Sequence, residues 1–431
     1  MADDLTRPVP LHLRYIPLRT PAASPRAWTP KTWRTFHLVL ATAAVLYVAA
    51  FSARAYVRKY QGFLPDYARW SVLGTAPLLA AKPTHVFVLF TDHFEPTSDG
   101  TWPFVDRPET ADAVRDWGTR YAAMAAHHRD SAGRPPQHTF FYPGDQPSPS
   151  TMLALRDMVA AGLGEVEFHY HHGWDTEQSL RERFLKAIHE FQQYGFLKTI
   201  DGKTQFAFIH GNNGLDNSDG KELCGVNSEI RLLRELGSFA DFTFPTLFDD
   251  AQPAVVNSIY AVKDDDGPKS YDRRLPLTTL GTGQADLMIF EGPLIFSPTW
   301  NPRRLFLHLD DADVHPSEHA TPARADAWVR ANVHVPERPD WVFVKMFSHG
   351  VSNPEYTDAV TGKDFDATLS YFEREYNDGV RYVLHYITAR EAYNLARAAA
   401  EGARGEPEQY LNAFVQPYAA GPPTVSAGPV R

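Results

Sequence analysis

The sequence predicts an α/β fold, a (β/α)7-8 barrel, regular or distorted, behind one N-terminal transmembrane helix. Three observations predict it. Short apolar runs alternate with helix-like stretches seven or eight times between residues 83 and 400. Histidine and aspartate recur just past the ends of those runs, where a parallel barrel carries its functional groups. An uncharged run of 18 residues, Phe36–Ala53, precedes all of this. An open doubly wound sheet is the alternative, but no Gly-x-Gly-x-x-Gly turn comes after any run.

The elements are taken in chain order. His85–Phe90 is a continuous apolar run, as expected of a strand covered on both faces. A helix is predicted over 110–130, a strand over His138–Tyr142 and a helix over 150–162. Val166–Tyr170 is the third strand. Asp175–Tyr194 is a helix that Asp175 or Thr176 can cap and Gly195 can close. Phe206–His210, Ala240–Phe244, Leu287–Phe290 and Trp341–Phe347 are further strands, with helices at 227–236 and 322–332. A final helix–strand–helix fills 365–400, with Arg381–Thr388 as the strand. Residues 250–320, rich in Pro and Asp, read as an irregular insertion.

Charge and hydropathy set the organisation. Residues 1–60 hold nine Lys/Arg against two acids, so the chain's net charge of −10 arises wholly from the residues beyond position 60. An acidic main domain excludes nucleic acid as the expected partner. Residues 1–35 read as a disordered basic tail, 36–54 as a membrane anchor and 55–82 as a linker. Residues 83–400 read as the catalytic domain and 401–431 as a flexible tail. Six basic residues precede the apolar run and three come closely after it, which puts the N-terminus in the cytoplasm and the main domain outside. The single cysteine, Cys224, excludes an intramolecular disulfide.

The chemistry gathers at the strand ends. The first gives Asp92-His93-Phe94-Glu95, the second Asp145, the third His169-Tyr170-His171-His172-Gly173-Trp174 and the fourth His210-Gly211-Asn212. The strand at 341–347 is followed by His349. Neutral imidazoles and carboxylates converging on one point suit a divalent transition metal with open positions for water and substrate. Residues 169 and 171 share a side of a continuing strand, with His172 facing away. The loop carrying Asn212, Asp216, Asn217 and Asn227 offers paired donors and acceptors suited to sugar hydroxyls, or is a plain turn cluster.

These residues resemble the polysaccharide deacetylase (NodB-homology) superfamily, over roughly residues 83–395. Val-Phe-Val-Leu-Phe-Thr-Asp92-His93 is similar to its first motif, Glu165-Val-Glu-Phe-His169-Tyr-His171-His172 to its His-rich metal motif, and Val-Phe-Val-Lys-Met-Phe-Ser-His349 to its late motif. The resemblance implies a (β/α) barrel holding a divalent metal, zinc first, with nickel, cobalt or manganese as alternatives. It implies Asp92 as general base and His349 as the group that protonates the leaving amine or steadies the tetrahedral intermediate. It implies His93, His169 and either His171 or His172 as metal ligands. Glu95, Asp145, Trp174, His210, Asn212, Asp216, Asn217 and Asn227 are the candidate substrate contacts. This sequence departs from the family pattern at three points. His93 stands for an aspartate, the His-x-x-x-His spacing lands on Gly173, and the Arg-x-Pro motif is absent.

The expected function is deacetylation of an N- or O-acetylated sugar, in a polysaccharide or lipid-linked glycan, outside a bacterial cytoplasmic membrane. Envelope polysaccharide assembly machinery is the expected partner. A glycosidase on the same barrel and a non-catalytic glycan-binding component are the alternatives.

Overall fold

The computed structural model describes residues 29–73, 83–96, 108–200, 202–247, 249–297 and 308–418. Most of the expected N-terminal tail, the end of the expected linker, part of the 250–320 insertion and the last thirteen residues lie outside that set. The chain divides into two units, Met1–Arg54 and Ala55–Arg431.

The first unit's described residues belong to α1 (Pro30–Val57), a helix longer at both ends than the apolar run. Thr29 Oγ1 accepts from the Thr32 N–H, and Pro30 occupies the first turn, where a missing N–H costs nothing. Its 28 residues extend about 42 Å, more than a bilayer's hydrocarbon core. With a mean hydropathy of 1.9 over its most apolar window, α1 is long and apolar enough to cross a membrane; a signal sequence passes the same test.

In the second unit ten strands make one sheet. They are β1 (Thr84–His93), β2 (His138–Pro143), β3 (Gly164–Tyr170), β4 (Phe206–His210), β5 (Ser238–Asp241), β6 (Ser258–Val262), β7 (Leu287–Glu291), β8 (Val333–Val335), β9 (Arg338–Met346) and β10 (Tyr382–Ile387). The order is β8-β9-β1-β2-β3-β4-β5-β7-β6, with β10 also on β1. β10 pairs with the first part of β1, Thr84–Leu89, and β2 with the last, Phe90–His93. All pairings are parallel except β8 with β9 and β6 with β7.

The helices are α2 (Leu64–Leu73), α3 (Pro108–Ala125), α4 (Pro149–Ala160), α5 (Glu177–Gln193), α6 (Glu229–Leu236), α7 (Pro322–Arg330), α8 (Pro354–Thr361), α9 (Lys363–Glu375) and α10 (Ala389–Ala400). Thr176 caps α5 through a reciprocal box with Ser179, so Thr176 rather than Asp175 is the cap.

Both faces of the sheet are buried. Val86, Val88 and Phe90 of β1 pack outward with Trp117 and Tyr121 of α3. Phe87 and Leu89 pack inward with Phe141, Phe242, Phe290 and Phe343. Those inner rings bridge the two ends of the strand order: Phe290 of β7 lies edge-on to Phe343 of β9 at 5.4 Å, and Phe343 stacks on Phe87 at 5.0 Å. The sheet is therefore strongly curled about an aromatic core. Among the described residues its hydrogen-bonded path stays open, so the expected barrel is met as a curled, mainly parallel sheet.

Several expectations need correction. The stretch expected as a linker contains α2, which is docked: Trp70 Nε1 donates to the Ala331 carbonyl at 3.1 Å, and Asp66 Oδ2 accepts from the Val256 N–H. The expected flexible tail is held as far as Tyr418, because the buried Arg390 guanidinium is satisfied by the Leu411 and Val415 carbonyls. The irregular insertion supplies β6 and pairs it with β7.

Candidate metal centre

The site is set by strand parity at the end of β1. The strand continues three residues beyond Phe90, so successive side chains keep alternating through Asp92 and His93. His93 shares the inner face with Phe87 and Leu89. Asp92 points outward with Phe90, where its Oδ2 lies 2.9 Å from His138 Nε2. His138 is packed among Phe90, Trp117 and Tyr121. Asp92 is fully buried there, away from the histidine cluster. The structure therefore places Asp92 on the face of β1 opposite to His93, because the strand runs on past Phe90.

On the inner face four groups converge. Glu95 Oε1 lies 2.9 Å from His169 Nε2, 3.4 Å from His171 Nε2 and 3.9 Å from His93 Nδ1. The two Nε2 atoms of His169 and His171 are 3.3 Å apart. The donor atoms of His93, Glu95 and His169 all fall within 4.8 Å of one another, and all three residues are buried. His171 is the partly exposed member, with 23% of its side chain open. Its Nδ1 sits 3.2 Å from both oxygens of Asp145, whose Oδ1 also accepts the His171 backbone N–H. A carboxylate behind an imidazole fixes its ring and raises its basicity, as behind metal-ligating histidines.

Burial and the close packing of these groups set their electrostatics. Burial pushes His93 well below the usual imidazole value, with His169 and His349 adding to the effect. Burial also lowers His169 and outweighs its bond to Glu95. Burial opposes ionisation of Glu95, but hydrogen bonds from His169 and His171 hold it well below the usual carboxylate range. His171 goes the other way: burial is outweighed by Asp145 and Glu95, and it rises to about 10. Two neutral imidazoles, an ionised carboxylate and a third imidazole braced by Asp145 suit a divalent ion. His169 Nδ1 is buried with no hydrogen-bond partner, so no protein acceptor turns that ring away from the centre.

His349, just after β9, borders this centre, its ring 5.1 Å from His93 and 5.5 Å from Tyr356. A cleft of about 510 Å³ opens beside His171, lined among others by Asp145, Tyr170, Gly173, Arg183 and Asn212. Gly211 makes room for His171: a Cβ there would lie 2.4 Å from the imidazole Cδ2.

The remaining candidates separate. His172, in the turn after β3, points away from His169 and His171 and meets His210, Cys224 and Glu229 in a second buried cluster. Of His171 and His172, His171 lies beside His169 and Glu95, whereas His172 does not. Asn212 lines the cleft, but its Nδ2 is committed to the His172 carbonyl at 2.7 Å. Asn217 binds Asn227 at 2.6 Å and the Gly225 N–H. Asp216 is buried, accepting from the Ser270 N–H. Asp216 and Asn217 have positive φ, so the 212–229 loop behaves as a turn cluster holding itself together. Trp174 is 70% exposed.

Sequence reasoning missed Glu95 as a member of the cluster, although the His93-x-Glu95 spacing is a usable signal. It also missed Cys224, which sits in a loop without periodicity, and Glu229, in the first turn of α6.

No family model matches the chain, and no curated protein matches it. Among solved structures, a protein of Mycobacterium smegmatis provisionally described as a polysaccharide deacetylase aligns over 75% of this chain and 94% of its own, at 14% identity and a TM-score of 0.39. An alpha-mannosidase from Enterococcus faecalis V583 aligns over 70% of this chain, at 11% identity and a TM-score of 0.31. This chain spans 30% of that mannosidase.

Proposed function

We infer that the protein is a metal-dependent hydrolase that removes an acyl group from an N- or O-acetylated sugar, in a polysaccharide or lipid-linked glycan. The observation that carries the metal-dependent part is the convergence of His93, Glu95 and His169 on one point, with His171 braced by Asp145 beside them. The carbohydrate part rests on the motif resemblance. In this reading the curled sheet is of the barrel type and α1 anchors the chain, with the second unit outside the cytoplasmic membrane.

His93, Glu95 and His169 would hold the ion, which supplies a Lewis acid and lowers the pKa of a bound water. His171 stands at the cleft side, oriented and held protonated by Asp145 and Glu95, where it can donate to the oxygen that gains charge as water adds. His349, on the other side of His93, delivers a proton to the departing group. Burial of the centre keeps bulk water out and strengthens each of these interactions. A two-carboxylate glycosidase working through Asp92 is disfavoured, because Asp92 is turned away to His138.

The test uses the full chain in detergent. Metal content and acetate release are measured on a panel of acetylated glycans, before and after chelation. Zinc, nickel, cobalt or manganese should accompany activity, and His169→Ala should lose both. Full activity in metal-free protein would overturn the reading.

A further inference from the structure

The second cluster lies behind the first and serves no step of the proposed reaction. It gathers His172 from the turn after β3, His210 from the end of β4, Cys224 from the 211–228 loop and Glu229 from the first turn of α6. All four side chains are buried, three of them completely. Glu229 Oε1 is 3.0 Å from His172 Nε2 and 3.7 Å from His210 Nε2, and Glu229 Oε2 is 3.3 Å from Cys224 Sγ. The four donor atoms fall within 4.8 Å of one another. Tetrahedral zinc with nitrogen, oxygen and sulfur ligands has edges of about 3.3–3.7 Å, a size that the distances from the Glu229 carboxylate to its three neighbours bracket closely.

Three details go beyond a chance cluster. His210 Nε2 is fully buried, aimed at Glu229 and His172, and has no hydrogen-bond partner. Such orphaned groups are rare in native interiors. Behind His172, the carboxylate of Asp175 lies 3.4 Å from Nδ1, facing the ring from the side away from Glu229. Cys224 Sγ receives two backbone N–H groups, from Asn217 at 3.3 Å and Val226 at 3.4 Å. Its S–H in turn points at Glu229 Oε2 and the Val226 carbonyl, and this is the proton a cation would displace.

We propose that His172, Cys224 and Glu229 hold a second, structural divalent cation of the zinc type, with His210 closing the fourth position. His210 Nδ1 now accepts the Asn212 N–H at 3.2 Å. Ligation through Nε2 moves the ring proton to Nδ1 and opens that contact, while the other three ligands need no such shift. Binding needs the thiolate, so the Cys224 proton that now points at Glu229 leaves as the cation enters. The site is closed, with no position left for substrate, which marks a structural rather than a catalytic ion. Its effect is to clamp the 211–228 loop to β3, β4 and α6. That loop begins with Gly211, against which the His171 ring packs.

The test separates the two centres. Wild-type full chain in detergent, loaded with zinc, should show a sulfur ligand by X-ray absorption. Loaded with cobalt, it should show a thiolate-to-cobalt charge-transfer band. Cys224→Ser should lose about one of two metal equivalents and the band, whereas His169→Ala should lose about one equivalent and keep the band. If the first centre holds no ion, the total falls to one and the sulfur signal stays. If Cys224→Ser does not fold, the wild-type absorption spectrum alone decides. Absence of a sulfur shell in zinc-loaded wild type, or an unchanged metal content in folded Cys224→Ser, overturns the proposal.

Discussion

His171 and Asp145 form a doubly tied pair: the Asp145 carboxylate lies 3.2 Å from His171 Nδ1 through both oxygens and also accepts the His171 backbone N–H. This places a basic imidazole at the mouth of the cleft with its other nitrogen facing Glu95 and His169. Asp145→Asn keeps the shape and removes the charge. Loss of such a supporting carboxylate typically costs about 10- to 100-fold in metal affinity or activity. We expect kcat to fall by that order while the melting temperature moves little. A variant with unchanged kcat and metal content would show that the pair is only structural.

Gly211 is required by space, not by backbone angle. A methyl group there would sit 2.4 Å from His171 Cδ2 and 2.5 Å from Cγ. The ring must turn, breaking its geometry to Asp145 and Glu95. Gly211→Ala should therefore lose activity by at least about tenfold, the size of effect seen when a reacting group is displaced by about an ångström. Thermal unfolding, measured in parallel, should show a folded protein. Activity equal to wild type would mean that the imidazole position does not matter.

Asp92 and His138 make a buried hydrogen bond of 2.9 Å on the outer face of β1. A general base must reach the reacting water, and Asp92 does not border the inner cluster. Asp92→Asn should thus act on stability: a hydrogen bond to a charged group contributes about 1.5–3 kcal/mol. We expect a lower denaturant midpoint with kcat within a few-fold of wild type. Abolished turnover at unchanged stability and metal content would restore Asp92 to the chemistry.

How much of this was legible in the sequence depends on which force decides each feature. The strand bodies were legible because both faces are buried, and the continuous apolar runs of β1 and β9 report that directly. His169 and His171 were legible as a pair, since alternate residues share a side. Asp92 was misjudged because its role turns on whether β1 stops at Phe90 or runs on to His93, and one residue of parity reverses the face. The Cys224–Glu229 association was invisible, because the 211–228 loop has no period and its ligands come together through turns at Asp216, Asn217 and Gly225. Docking of α2 hangs on single bonds such as Trp70 to Ala331, which no local pattern announces.

The inner aromatic stack joins strands far apart in the order, and its strength is measurable. Phe343 touches Phe87 and Phe290 and is completely buried. Truncating a buried Phe to Ala costs about 3–5 kcal/mol, from lost transfer energy and the cavity left behind. Phe343→Ala should lower the unfolding free energy by that amount and leave the metal content of the folded fraction unchanged. A loss under about 1 kcal/mol would mean that the curled sheet does not depend on this contact.

His128 gives a pH dependence remote from the histidine clusters. It lies between Asp366 of α9 at 3.0 Å and Glu373 of the same helix at 3.2 Å. Burial lowers its pKa, but the two carboxylates outweigh burial and the net shift is upward from 6.5. Folding therefore favours the protonated ring. Its stabilising contribution is fully present below the unfolded value of about 6.5 and is lost as pH rises through the higher folded value. The wild-type melting temperature should decline across that window more steeply than that of His128→Gln, which cannot titrate. The difference between the two curves should be largest on the acid side and shrink once the ring is neutral in both states. Parallel curves from pH 5 to 9, about the range over which an imidazole titrates, would show that this ion pair adds nothing to stability.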